Sequence, residues 1–363
     1  MKKDIVLYFA VLWILAPAAS QASYHFADFK GHPPLHIYSA NKKTPTGLSP
    51  DKIKSAYNLP ATGGKGVIAI IDAYASPTLE KDLAVFNSAF GLASCTVANG
   101  CLELHPMAAK MTANSGWALE TALDVEWAHA IAPQAKILLV EAVTPSGANL
   151  INAVDYTRGR SDVAAISMSW GGAEFSDETT LDTHFVSSYG AIFFASSGDN
   201  GAGVSWPASS PHVVGVGGTT LTFSKTGAFQ KELAWPGSGG GVSAYESQPS
   251  FQAGYNISKA NKHRAVPDVS YNADPKSGYS VYEKGAWYVL GGTSAGAPQW
   301  AAIQALGGTA SNDKFYTDKA GDNNKNYFRD IISGSNGDCT YYCDAHKHYD
   351  YITGLGSPLT ATF

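Results

Sequence analysis

Short apolar runs rich in β-branched residues alternate along this chain with longer stretches whose apolar residues recur at helical spacing. Residues 66–72, 136–143, 164–169, 190–196 and 213–216 have the near-continuous apolar character of strands buried on both faces. Between them, residues 78–90, 116–132, 147–158 and 179–189 read as helices. This order predicts an α/β fold in a single domain, with a mainly parallel central sheet and helices on both faces. Two later stretches, 236–242 and 312–326, are rich in turn formers and are expected as long surface loops. No repeat, low-complexity tract or charge run breaks the pattern.

The beginning of the chain has a different character. Lys2 and Lys3 precede an apolar run, 5–16, and small residues ending at Ala22. That is the pattern of an export signal over residues 1–22. The run falls short of the roughly 20 residues a bilayer span needs. The chain is therefore expected to be secreted, to an extracellular or periplasmic destination, with no membrane contact after signal cleavage. Residues 23–34 are then a short N-terminal extension and residues 35–363 the folded domain.

Composition narrows the class further. The 363 residues carry a net charge of −5, and only 15% are charged, which leaves no basic surface for nucleic acid. Cys95 with Cys101 and Cys339 with Cys343 form two close pairs, expected as local disulfides in an exported protein. A thiolate zinc site drawing on Cys339, Cys343, His346 and His348 is the alternative, and export argues against it.

Three segments carry chemistry. In 292–298, Gly-Thr-Ser-Ala-Gly-Ala-Pro leads into a helix-prone stretch, with Pro298 in its first turn. Ser294 is thereby placed among free backbone N–H groups at the positive end of a helix dipole. The second segment is the predicted helix 116–132. At roughly 100° per residue, Glu120 and Asp124 lie about 40° apart on one face. Glu126 lies about 200° from Asp124, and His129 about 180° from Glu120, so neither shares that face. The neighbours of the two acids are apolar, which points to a buried, coupled carboxyl pair. In the third, Ser-Ser-Gly-Asp-Asn-Gly places Asp199 at the carboxyl end of a strand, where open α/β sheets bind ligands. Asp72 ends the first strand and invites a subtilisin-like triad, but no histidine segment supplies the proton carrier that triad requires.

Taken together, Glu120-x-x-x-Asp124, Ser-Gly-Asp199-x-Gly and Gly-Thr-Ser294-x-x-x-Pro298 resemble the sedolisin family, the serine-carboxyl peptidases, from about residue 46 to residue 358. The resemblance implies a subtilisin-like fold and hydrolysis of protein or peptide substrates in acid by a monomeric enzyme. Ser294 would be nucleophile, Glu120 general base, Asp124 the residue that orients it, and Asp199 the oxyanion donor. As strand-edge segments do for extended peptides, Trp170 and Gly171 would form one wall of the substrate cleft, with Gly172, Glu174 and Trp206 shaping its pockets. The resemblance also implies one Ca2+ ion held by side chains of Asp330 and Asp350 and carbonyls of Ile331, His346 and His348. Here the chain departs from the family, which usually has glycines at the two histidine positions. It departs again in the short stretch before the domain, where family members usually carry a long propeptide. An inactive secreted peptide-binding protein on the same scaffold is the alternative.

Overall fold

The computed structural model describes residues 24–41, 43–308, 311–317 and 326–362. The export signal expected over residues 1–22 lies outside the described residues, as does much of the expected loop 312–326.

The apolar runs form the middle of an eight-stranded sheet. Across it the order is Phe229–Ala234, Val213–Phe223, Ile192–Ser196, Val163–Met168, Val67–Ala73, Lys136–Ala142 and Leu102–Pro106, with Val269–Asn272 also pairing with Val213–Phe223. All pairings are parallel except that of Phe229–Ala234 with Val213–Phe223. Every residue of Val67–Ala73 is buried, as expected of a central strand covered on both faces. One apolar layer packs the helices Ser115–Ile131 and Gly296–Ala305 against one face of the sheet; the other joins the opposite face to the helix Gly147–Arg158. The expected single-domain α/β architecture is what forms.

Three local expectations differ. Residues 179–189 were expected as a helix, but a three-ten segment, Glu178–Phe185, forms instead. The strand expected over 213–216 runs on to Phe223, because an antiparallel edge partner extends its ladder. Asn312–Thr317, expected as loop, is a short helix whose Phe315 and Tyr316 are buried. Both expected disulfides are formed, Cys95–Cys101 and Cys339–Cys343. This removes the thiolates the zinc alternative would need.

The helix Ser115–Ile131 is enclosed around its whole circumference, every residue from Trp117 to Ile131 being buried. Its first turn is capped by Asn114, whose side-chain oxygen accepts the N–H groups of Gly116 at 3.0 Å and Trp117 at 3.2 Å. Near the far edge of the sheet, the fully buried Arg264 donates to Asp268 at 2.7 Å, and Asp268 also accepts from Gly215 N at 2.8 Å and Tyr316 Oη at 3.0 Å. Arg264→Leu leaves the Asp268 carboxylate buried without its cation. The expected loss is about 3–5 kcal/mol, read as a lower midpoint of denaturant unfolding. An unchanged midpoint would show the pair to be dispensable.

Candidate active site

The three chemistry-bearing segments meet at the carboxyl ends of the parallel strands. Ser294 sits in a three-ten turn, Thr293–Ala295, that runs directly into the helix Gly296–Ala305. Gly292 precedes it with φ +133°, a conformation that favours glycine. A Cβ there would lie 2.0 Å from the Pro34 carbonyl oxygen and 2.6 Å from Asp199 Oδ2, so the backbone can pass only without a side chain.

Ser294, Glu120 and Asp124 are completely buried. The Ser294 hydroxyl and the Asp124 carboxyl both lie close enough to Glu120 to lower its proton affinity. None of the three makes a fully formed side-chain hydrogen bond, so the constellation is assembled but slack. Burial drives the Glu120 carboxyl well above the ordinary range, with the Asp72 charge adding to it and Ser294 opposing. Asp124 is raised in the same direction by burial, then by the charges of Asp72 and Glu120. Ser169 donates to the Ser294 carbonyl oxygen at 3.1 Å and also lies beside Asp124, tying the two segments together.

Asp199 lies opposite. Its Oδ1 accepts the backbone N–H and the hydroxyl of Thr293, each at 2.8 Å. Its Oδ2 makes no formed hydrogen bond, although His36 Nε2 stands 3.1 Å away. Burial raises the Asp199 carboxyl; His36 and Thr293 hold it down.

The acids expected from the sequence are therefore brought together, and the two residues set aside on the helix behave as the helical arithmetic requires. His129 bonds to Ala93 O at 2.9 Å, and Glu126 accepts from Tyr282 N at 3.1 Å, both on other faces. Asp72 carried more than the sequence suggested. It is fully buried beside Thr121, its carboxyl is pushed up to about 7 mainly by desolvation, and its charge acts on both Glu120 and Asp124. The signal was its place at the strand end, discounted only for want of a histidine. Ser169 and Thr293 were also missed as positioning residues, though Ser169 directly precedes Trp170 and Thr293 directly precedes Ser294.

A cleft of about 460 Å³ opens on the Asp199 side of the site, lined by Gly171, Gly172, Ser197, Asp199 and, from the N-terminal side, residues 32–36. Gly171 is on its wall, as expected. The Trp170 side chain is not: it is fully buried, and its indole N–H donates to Ile71 O at 3.0 Å. The aromatic cluster below the cleft absorbs it. Trp206 is buried in the same cluster, and Glu174 accepts from Ala244 N at 3.1 Å.

This fold with a serine at the head of a helix is that of a known class. Residues 107–325 match the model of the subtilase family, and the chain belongs to that family. Within it, the chain is a homologue of sedolisin from Pseudomonas sp. (strain 101), 29% identical over 90% of this chain. Kumamolisin from Bacillus sp. (strain MN-32) is 32% identical over 87% of it. The chain spans 63% and 62% of the lengths of these two relatives. Pseudomonas sedolisin, a serine-carboxyl proteinase solved with two molecules of pseudo-iodotyrostatin, superimposes with a TM-score of 0.75 at 28% identity, covering 87% of this chain and 96% of that one.

The raised carboxyls fix a sign. An acid whose folded pKa exceeds its unfolded one binds protons more tightly in the native state. The stability it lends is complete below the unfolded pKa, about 4, and is lost as pH rises through the folded value. Thermal scans are thus expected to show the midpoint falling from about pH 4 to about pH 7. Asp72→Asn flattens the slope in that interval; a midpoint that rises across it would contradict the burial of uncharged acids.

Proposed function

We propose that the chain is a secreted serine-carboxyl endopeptidase that hydrolyses peptide bonds in acid through Ser294, Glu120, Asp124 and Asp199. The observation that carries this reading is the burial of Ser294 against two carboxyls whose affinity for protons is raised, with no imidazole beside them.

The chemistry follows from those groups. Ser294 Oγ attacks the carbonyl carbon of an extended peptide while its proton passes to Glu120. Asp124 orients Glu120 and shares a proton with it, so the pair holds one between them. Negative charge develops on the carbonyl oxygen, beside the Ser294 N–H and Asp199. Asp199 can donate there only when protonated, and burial keeps its proton available at a higher pH than an exposed carboxyl would. Glu120 returns its proton to the departing amine, and water then releases the acyl group from Ser294 by the same steps in reverse. The proton on Asp199 and the one shared by Glu120 and Asp124 are held in acid and lost toward neutrality, while the shared proton leaves the pair one vacancy to receive that of Ser294. The disulfides suit an oxidising, exported setting. No helix among the described residues is long and apolar enough to cross a membrane. No observation favours the alternative of an inactive binding protein.

Ca2+ belongs to the same proposal. Asp330 Oδ1 is buried without a hydrogen-bond partner, and Asp350 is wholly buried among neutral donors, Ile352 N and Thr353 N, each at 2.8 Å. Oxygen donors of this kind suit a hard cation, and the unpartnered Asp330 Oδ1 supports the reading. Asp330, Asp350 and the carbonyls of Ile331, His346 and His348 would hold it, and it would neutralise the two acids and brace the loop. His348 has φ +68°, the conformation for which glycine is the usual choice, so the backbone there takes up the strain of the substitution.

Ser294→Ala and Glu120→Gln are each expected to lower peptide hydrolysis by about four to six orders of magnitude. An aldehyde or fluorophosphonate probe should label Ser294 in the wild type. A pH–rate profile peaking at or above neutrality, or a Ser294→Ala variant of normal activity, would overturn the assignment. A chelator is expected to lower the thermal midpoint of the wild type and to leave that of Asp350→Asn unchanged; equal effects on both would refute the ion site.

A further inference from the structure

On the face of the helix Ser115–Ile131 turned away from Glu120, His129 meets the loop that joins Leu79–Phe90 to Leu102–Pro106. His129 is completely buried, and Cys95 in that loop is 1% exposed. One ring nitrogen of His129 and the sulfurs of Cys95 and Cys101 all lie within 4.8 Å of one another. Among the described residues, no other three histidine, cysteine or acidic side chains bring ligand atoms so close together.

The ring is prepared for a ligand's role. Its Nε2 stands 2.9 Å from Ala93 O, and a carbonyl can only accept, so Nε2 carries the hydrogen. Nδ1 is buried with no hydrogen-bond partner. A proton there would be an orphaned donor, so the neutral ring presents Nδ1 as a free lone pair. Zinc-bound histidines are commonly fixed in this way, giving their other N–H to a backbone carbonyl. The loop has supports besides its disulfide. Asn99 Oδ1 accepts from Thr96 N at 3.0 Å and Cys101 N at 3.1 Å, and Asn99 Nδ2 donates to Ser94 O at 2.9 Å. Val97 N donates to Glu80 Oε1 at 3.0 Å and Ile137 N to Cys101 O at 2.8 Å, which ties the loop to the helix before it and the strand beside it. Freed sulfurs would therefore stay close. Their Cα atoms are 4.9 Å apart. Two thiolates on one zinc sit about 3.8 Å from each other at a Zn–S distance of about 2.3 Å.

We propose that Cys95, Cys101 and His129 form a redox-gated Zn2+ site, shut while the disulfide is intact and open once it is reduced. A dithiol reductant supplies two electrons and two protons to the Cys95–Cys101 bond and closes its own disulfide. Zn2+ then replaces the two thiol protons, which leave to solvent, and Nδ1 donates its lone pair. Water, reaching the ion past the half-buried Cys101, completes four-coordination around a two-cysteine, one-histidine set that zinc accepts. The disulfide closes the loop only on itself, whereas the ion would fasten it to the helix that carries Glu120 and Asp124. The proposal does not lean on the peptidase reading.

The second disulfide has to be kept apart from this site, because His346 and His348 follow Cys339 and Cys343 closely in sequence. The test therefore uses full-length Cys339→Ser/Cys343→Ser protein at neutral pH, reduced by a phosphine and titrated with Co2+ and then Zn2+. The expected result is one equivalent of cobalt per chain with a thiolate-to-cobalt charge-transfer band, bleached by zinc, and no band before reduction. Cys101→Ser and His129→Gln are each expected to weaken zinc binding by more than about a hundredfold, beyond what losing a ligand's hydrogen-bond partner costs. Circular dichroism follows folding throughout. Reduced protein that unfolds without metal and refolds with zinc also supports the site, since binding then drives folding. Reduced protein that gives no band, folded or unfolded, overturns the proposal. Binding of equal strength in His129→Gln, or in the oxidised chain, overturns it as well.

Discussion

The structure depends on keeping several acids out of water, with only Asp199 facing an imidazole, that of His36. Glu120, Asp124 and Asp72 are fully buried in one neighbourhood, and Asp199 is nearly so. An uncompensated buried charge costs several kcal/mol, whereas a single hydrogen bond returns about one. Donors such as Ser169 and Thr121 therefore cannot make ionisation favourable, and the acids are relieved chiefly by retaining protons. A hydroxyl in such company is surrounded by groups that exchange protons among themselves. The sheet and helices keep this cluster dry.

Placement follows from the topology. Parallel strands deliver Asp72 and Asp199 to one edge of the sheet, and the two helices bring Glu120, Asp124 and Ser294 to it from one side. The helix Ser115–Ile131 supports this because it is buried on all faces and clamped along its length. A helix with one wet face would tilt its acids toward solvent and lose the coupling between them. Gly292 closes the arrangement, since only a residue without a side chain lets Asp199 and Ser294 approach.

Much of this was legible in the sequence. The period of a helix is enough to separate Glu120 and Asp124 from Glu126 and His129, and continuous apolar runs are enough to mark buried parallel strands. What escaped has physical causes. Residues 179–189 have helical spacing, but a three-ten segment forms where tertiary contacts override a weak local preference. Trp170 was expected on the cleft wall from its motif, yet an indole gains more by burial among Phe175 and Trp206 than at the surface. Asp72 was discounted because the sequence showed its missing partner and could not show its neighbours across the sheet. His36 gave no signal at all: its partner lies far along the chain and is met only through the fold.

Residues lining the cleft from the N-terminal side are anchored at both ends: Phe29 is wedged against Trp206, and His36–Asn41 is zipped to Ala286–Gly291. Widening that wall would require one anchor to let go. The breadth of the groove is thus a matter of how firmly two remote contacts cling, and loosening either would change which chains can lie in it.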